Sequence, residues 1–225
     1  MSGTDVARAR KARGWKQRDL ARKLGVSQPY VSLLERNRRA VPRRLARRLS
    51  HVLDLPPSTL PIGWVEQPLV SRRAASSLGR MGYPGFAYLP GGYRLNPAEA
   101  LVRTLGAENV DARLVEALPW VLVTYPDLNW DWLVREAKLH DLQNRLGFVV
   151  TVARQLAQRH GESRTAETLS YWERVLQRSR LQREEAFRES LTDAERRWLR
   201  ANRSTEAEKW NVLSTLTDTV LQYAV

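Results

Sequence analysis

Cysteine is absent from the 225 residues. That excludes disulfides, thiolate metal centres, iron–sulfur clusters and any cysteine nucleophile. Histidine is nearly absent: His51, His140 and His160 are too few for a histidine-rich centre, so no metal or cofactor is expected. No uninterrupted apolar run approaches the roughly 18 residues of a membrane-spanning helix. The opening MSGTDVARARK lacks the apolar stretch of a signal peptide, so a cytoplasmic protein without a membrane partner is expected. Three common catalytic signatures, HExxH, GxxxxGK[ST] and GxSxG, are also missing. LPGGYRLNP has glycines but no following Lys-Ser/Thr to hold a phosphate. The expectation is a protein that is not an enzyme.

What the chain has in excess is arginine. Lys and Arg number 37 against 24 Asp and Glu, a formal charge of +13. Residues 1–55 hold 15 basic and 4 acidic side chains, net +11, and the other 170 hold 22 and 20, net +2. A uniform arginine bias would not produce that step. A strongly basic segment joined to a nearly neutral one points to a polyanion-binding module followed by something else.

Three prolines, Pro56, Pro57 and Pro61, close the basic segment and favour an extended linker. Through residue 95 the chain is rich in breakers. GRMGYPGFAYLPGGYRLNP has five Gly and three Pro, and reads as a Gly/Tyr-rich ordered loop, centred on 79–95, with short strands expected around Phe86–Leu89. From Asn96, which precedes Pro97 and Glu99 as an N-cap precedes its helix, the pattern is helical. Apolar residues recur at three and four over 110–125, with Pro119 expected to kink or split the helix, and further helices are expected over 129–159, 163–189, 192–202 and 204–223. The organisation is therefore 1–55, a linker and loop over 56–95, and a helical domain over 96–225. The fold class is all-α.

Within the basic segment, Leu20, Ala21, Leu24, Val26, Val31 and Leu34 fit two short helices, Gln17 to Leu24 and Ser27 to about Arg36, broken at Gly25. Gly25 stands where the chain must turn with positive φ. Ala21 lets the second helix cross closely, Ser27 is a good N-cap, and Pro29 falls in the first turn, where its missing N–H does no harm. Two helices locked this way form a helix-turn-helix, whose second helix enters the major groove of DNA.

The run RKARGWKQRDLARKLGVSQPYVSLLERNRR, within about Val6 to Leu55, resembles the Cro/phage-repressor (XRE) helix-turn-helix family. The resemblance implies a five-helix DNA-binding domain and a structural ion pair between Arg10 and Glu35. On the recognition helix, Val31 and Leu34 face inward. Gln28, Pro29, Ser32 and Leu33 are left for the groove, with Tyr30 at the phosphate edge. The Gln28 amide suits adenine, whereas Pro29 and Leu33 replace polar readers with groups that suit thymine methyls. Gln17, Arg36, Arg38, Arg39 and Arg43 are expected to hold phosphates. One such module covers few base pairs, so a homodimer on a two-fold double-stranded operator is expected.

Seven of the eight tryptophans lie after residue 60, Trp64 among them. Most are expected in the core, with LPWVLVTYPDLNWDWL the first candidate; the rest suit a partner interface. Asp127, Asp131, Glu136, His140 and Asp141 cluster in sequence, and a solvated helix face with i,i+4 pairs is the expected reading over a metal or acid–base site. The stretch LHDLQNRLGFVVTVARQLA is similar to a segment of DNA-binding antitoxins of abortive-infection toxin–antitoxin systems. That resemblance implies a toxin partner and an autorepressing regulator. A stand-alone dimeric repressor whose helical domain senses a small ligand, or only dimerises, is the alternative.

Overall fold

The computed structural model describes residues 1–63 and 68–221. Trp64 and the end of the helix expected over 204–223 lie outside the described residues. The chain divides into two compact units: residues 1–63 with 94–96, and the remaining described residues.

The first unit is four α-helices, α1 (Gly3–Ala12), α2 (Gln17–Leu24), α3 (Gln28–Glu35) and α4 (Arg43–Val52). A single 3-10 turn, Pro57–Thr59, stands where a fifth helix is expected; Pro61 has no N–H to carry an α-helical bond back to Pro57 O. Helix α1 begins with a capping box: the Asp5 amide donates to Ser2 Oγ at 3.2 Å and the Ser2 amide to Asp5 Oδ2 at 3.0 Å. Helix α3 begins on Ser27, whose Oγ accepts from the Tyr30 amide at 3.3 Å. All four helices end in left-handed residues, Gly14, Gly25, Asn37 and Asp54, with φ of 67°, 65°, 55° and 43°. Each turns the next amide back onto the last turn, as with Val26 to Ala21 O at 3.0 Å and Arg38 to Leu33 O at 2.9 Å. The apolar faces then close on one core of Val6, Leu20, Leu24, Val31, Leu34, Leu49 and Leu53.

The second unit is also helical, and departs from expectation first at its start. Ser71–Met81 is an α-helix, α5, not loop. Its buried face is mostly Ala74, Ala75, Ser76 and Ser77, too small to register as an apolar stripe. They are small because the following segment lies on them: a Cβ on Gly92 would stand 2.7 Å from Ser76 backbone, and one on Gly79 2.3 Å from Phe86 O. The strands expected around Phe86–Leu89 are instead a 3-10 turn, Pro84–Phe86. Then follow α6 (Pro97–Leu105), α7 (Ala112–Thr124), α8 (Trp130–Leu139), α9 (Gln143–Arg159), α10 (Ser163–Gln177), α11 (Asp193–Asn202) and α12 (Thr205–Lys209). Pro119 lies inside α7 without splitting it. The helix expected over 129–159 is divided at Asp141, φ 56°. That expected over 163–189 stops at Gln177, and Glu185–Ala186 (β1) pairs in parallel with Val212–Leu213 (β2). The pairing also ends the last expected helix early, since residues after Lys209 supply strand rather than helix.

Helix α9 is buried nearly all round and packs chiefly on α7 and α10. Trp210 is fully buried against it at Gly147, where a Cβ would stand 2.3 Å from the indole. Its Nε1 donates to Thr151 Oγ1 at 2.7 Å. Glu173, buried on α10, accepts from Thr151 Oγ1 at 2.8 Å, Arg154 Nε at 2.6 Å and Lys209 Nζ at 2.5 Å. Burial pushes the Glu173 carboxyl upward, but bonds from Lys209, Arg154 and Thr151 outweigh it and hold the group below the usual carboxylate range. A buried acid with three donors thus ties α9, α10 and α12 together. Trp120 and Trp130 are core as expected, whereas Trp132 and Trp172 are half-buried and Trp198 is 59% exposed.

Candidate nucleic-acid interface

Glu35, at the end of α3, is buried, and its carboxylate accepts from Arg10 Nε at 2.6 Å and Arg10 Nη2 at 2.9 Å. Arg10 is buried as well, and its Nη1 donates to Trp15 O at 2.5 Å. The ion pair implied by the family resemblance is therefore bidentate. It fastens α1 to α3 and reaches the turn before α2. Burial pushes the Glu35 carboxyl up, but bonds from Arg10 and Gln17 prevail and hold it below its ordinary range.

The third donor to Glu35 carries this order outward. Gln17 Nε2 donates to Glu35 Oε2 at 2.9 Å, and Gln17 Oε1 accepts from Gln28 Nε2 at 2.6 Å. The polarity of the chain is forced from its buried end. An ionised carboxylate only accepts, so Gln17 must turn its NH2 inward and its oxygen outward; Gln28 must then answer with an N–H. What remains at the exposed end of Gln28 is one N–H and one carbonyl oxygen side by side. Gln17, expected at phosphate, here also gives one N–H to Glu35 and accepts one from Gln28. The bond is legible only in space, since the two residues stand 11 apart.

On the face of α3 opposite Val31 and Leu34 lie Gln28, Pro29, Ser32 and Leu33. Gln28 and Pro29 are exposed, Ser32 is half-buried and Leu33 is 43% exposed. Tyr30 is half-buried, and the guanidinium of Arg39 sits 4.8 Å from its ring centre. Arg36 ends α3, and Arg36 and Arg38 are exposed with no acidic partner among the described residues. Arg43 opens α4 and lies against Gly63, where an added Cβ would meet its guanidinium. Two features went unread in the sequence. Asn37 Oδ1 accepts from the Gly3 amide at 2.7 Å, fixing the start of α1 on the end of α3. Trp15 is flanked by Lys23 and Arg13, with Lys23 Nζ 4.7 Å from the ring centre.

The acidic cluster of the second unit disperses into surface pairs. Glu136 takes Arg135 at 3.3 Å and His140, four residues on, at 3.8 Å, while Asp141 takes Arg183 at 3.5 Å. Among the described residues no group of three His, Asp or Glu side chains is placed to share a metal ion, and no helix is long and apolar enough to cross a membrane.

Two short helices joined at a left-handed glycine, with the second presenting a polar and basic outer face, define a helix-turn-helix DNA-binding unit. Residues 6–60 match the Helix-turn-helix family, XRE type, and this chain thus carries the DNA-binding domain of a transcriptional regulator. No significant match was found among curated proteins or among solved structures.

Proposed function

We propose that the protein is a sequence-specific repressor that binds a two-fold operator as a homodimer, inserting α3 in the major groove of each half-site. The observation that carries this reading is the Glu35–Gln17–Gln28 chain. It leaves Gln28 with one donor and one acceptor side by side, the complement of adenine N7 and N6–H. Arg36, Arg38, Arg39, Arg43 and Tyr30 supply phosphate contacts around it, which position the helix without reading sequence. Footprinting with the full chain tests the reading. A protected site with two-fold symmetry is expected, and Gln28→Ala should relax one base pair per half-site by about 1–3 kcal/mol. An asymmetric site, or unchanged preference in the variant, contradicts it.

The second unit is proposed to bind a partner protein, with a toxin as the partner and autorepression as the outcome. Support comes from α11, which has no buried residue and carries the exposed Trp198. Such an aromatic is the residue type that anchors interfaces. Co-purification of the product of the adjacent gene, and growth arrest when that product is expressed alone, test the toxin. A harmless neighbour removes it. One observation favours the alternative of a small ligand: a cavity of about 310 Å³ lined by Val115, Phe187, Leu199, Leu213 and Leu216.

A further inference from the structure

The outer face of α3 is unusual in what it offers a base pair. Leu33 is the one large apolar side chain of the first unit's described residues that stands exposed, at 43%. The core does not need it: Val31 and Leu34 face inward from the same helix and are 1% exposed. Pro29, four residues earlier, is exposed and has neither an N–H nor a polar side-chain atom. Positions four apart on a helix have Cβ atoms about 5–6 Å apart, so the two side chains form one apolar strip. Gln28 beside it has already given one N–H to Gln17, and Ser32 is half-buried. An apolar strip in the middle of a basic face cannot read a donor or an acceptor. The apolar group that B-DNA presents in the major groove is the pyrimidine 5-methyl.

We infer that Pro29 and Leu33 make this protein a reader of pyrimidine 5-methyl groups, so that 5-methylcytosine in the operator binds as a methyl-bearing base and uracil is rejected against thymine. The inference rests on the proposed docking of α3 in the major groove. Its consequence is specific: affinity at these positions follows the methyl group whichever pyrimidine carries it. Burying one methyl is worth about fourfold in affinity, and two half-sites square the factor to about 15-fold.

The test uses the full chain and a randomised 30-base-pair duplex pool. The best-bound duplex is resynthesised with dU for dT, one symmetric pair of positions at a time, and with 5-methyl-dC and dC at the same positions. Fluorescence anisotropy should give about 15-fold weaker binding for dU at one or two position pairs. The advantage of 5-methyl-dC over dC there should be of like size. Leu33→Ala removes an exposed side chain, so hydrogen exchange of α2 and α3 should be unchanged, while both methyl ratios at its position fall to near one. Selection of a specific duplex with flat dU and 5-methyl-dC scans overturns the methyl reading and leaves the docking intact. Failure to enrich any duplex overturns both. Methyl ratios that persist in Leu33→Ala and in Pro29→Ser alike also overturn it.

Discussion

Removing the Glu35 carboxylate is the sharpest perturbation of the first unit. Glu35→Ala strands a guanidinium that is only 8% exposed and takes away both of its carboxylate bonds. Breaking one partner of a buried pair costs about 3–5 kcal/mol. A small domain has roughly 5–15 kcal/mol in all, so the loss is between a fifth and nearly all of it. Glu35→Gln is nearly isosteric but places an NH2 among donors from Arg10 and Gln17, so one N–H must face another. It should cost about 1–3 kcal/mol, the penalty of an unsatisfied buried group. The double variant Arg10→Met, Glu35→Leu removes both charges and refills the space, and should return most of the loss, since apolar replacement of a buried pair is often neutral or better. The assay is native-state hydrogen exchange of peptides within 17–35 in the full chain, because a chain of two units need not unfold in one step. If the double variant is as unprotected as Glu35→Ala, the stranded charge is not the source of the loss. Acid adds a check of sign. The folded Glu35 holds its proton less tightly than the unfolded one, so its contribution is whole above the unfolded value of about 4.3. It is lost as the pH falls through the lower folded value. Protection of 17–35 should fade below about pH 4.

Further outcomes follow from the same geometry. Gly147→Ala drives a Cβ into the fully buried Trp210 ring and should cost about 3 kcal/mol, the upper range of overpacking, read as a lower Tm of the second unit. An unchanged Tm means that the indole yields. Asn37→Gly keeps the left-handed turn but loses the bond to the Gly3 amide, whereas Asn37→Ala adds about 1 kcal/mol of backbone strain; equal Tm values for the two contradict the role of φ. Glu173→Gln should reduce the acid sensitivity of near-ultraviolet ellipticity between pH 5 and 3, because the lowered Glu173 carboxyl stabilises the fold above about pH 4.3 and not below its folded value; an unchanged acid profile contradicts that contribution. Arg38→Glu should weaken binding to all DNA sequences and lower the slope of log K against log salt by about 0.9 per phosphate lost; an unchanged slope removes Arg38 from the phosphate set.

How far the sequence carried depended on whether a feature is local or made across the fold. The turn at Gly25, the Ser27 cap and the inward faces of α2 and α3 are local, and the periodicity of Leu20, Leu24, Val31 and Leu34 displays them. Asn37 and Asp54 take the same left-handed conformation as Gly25, yet carry no comparable mark, because asparagine and aspartate also serve as caps and surface residues. Helix α5 was hidden because close approach demanded Ala and Ser where a stripe of Leu would have been conspicuous. The burial of Trp210 in the notch at Gly147 joins residues 63 apart, and no local pattern encodes it. Of the interface, the residue types on α3 were legible, but the use of Gln17 as a tether for Gln28 was not, since it depends on the carboxylate of Glu35 lying beneath both.

The last turn of the second unit has a consequence for damaged copies of the gene. Lys209 and Trp210 reach back to Glu173 and Thr151, so a stop codon anywhere between Asn202 and Lys209 deletes the plug from a notch already synthesised. The four helices of the first unit are complete 150 residues earlier. Under the proposed repressor reading, such a truncated product would keep the DNA-binding helices while its remaining portion lacks the bonds of Lys209 and Trp210, and it would compete with the intact chain for the same sites rather than act as a simple loss.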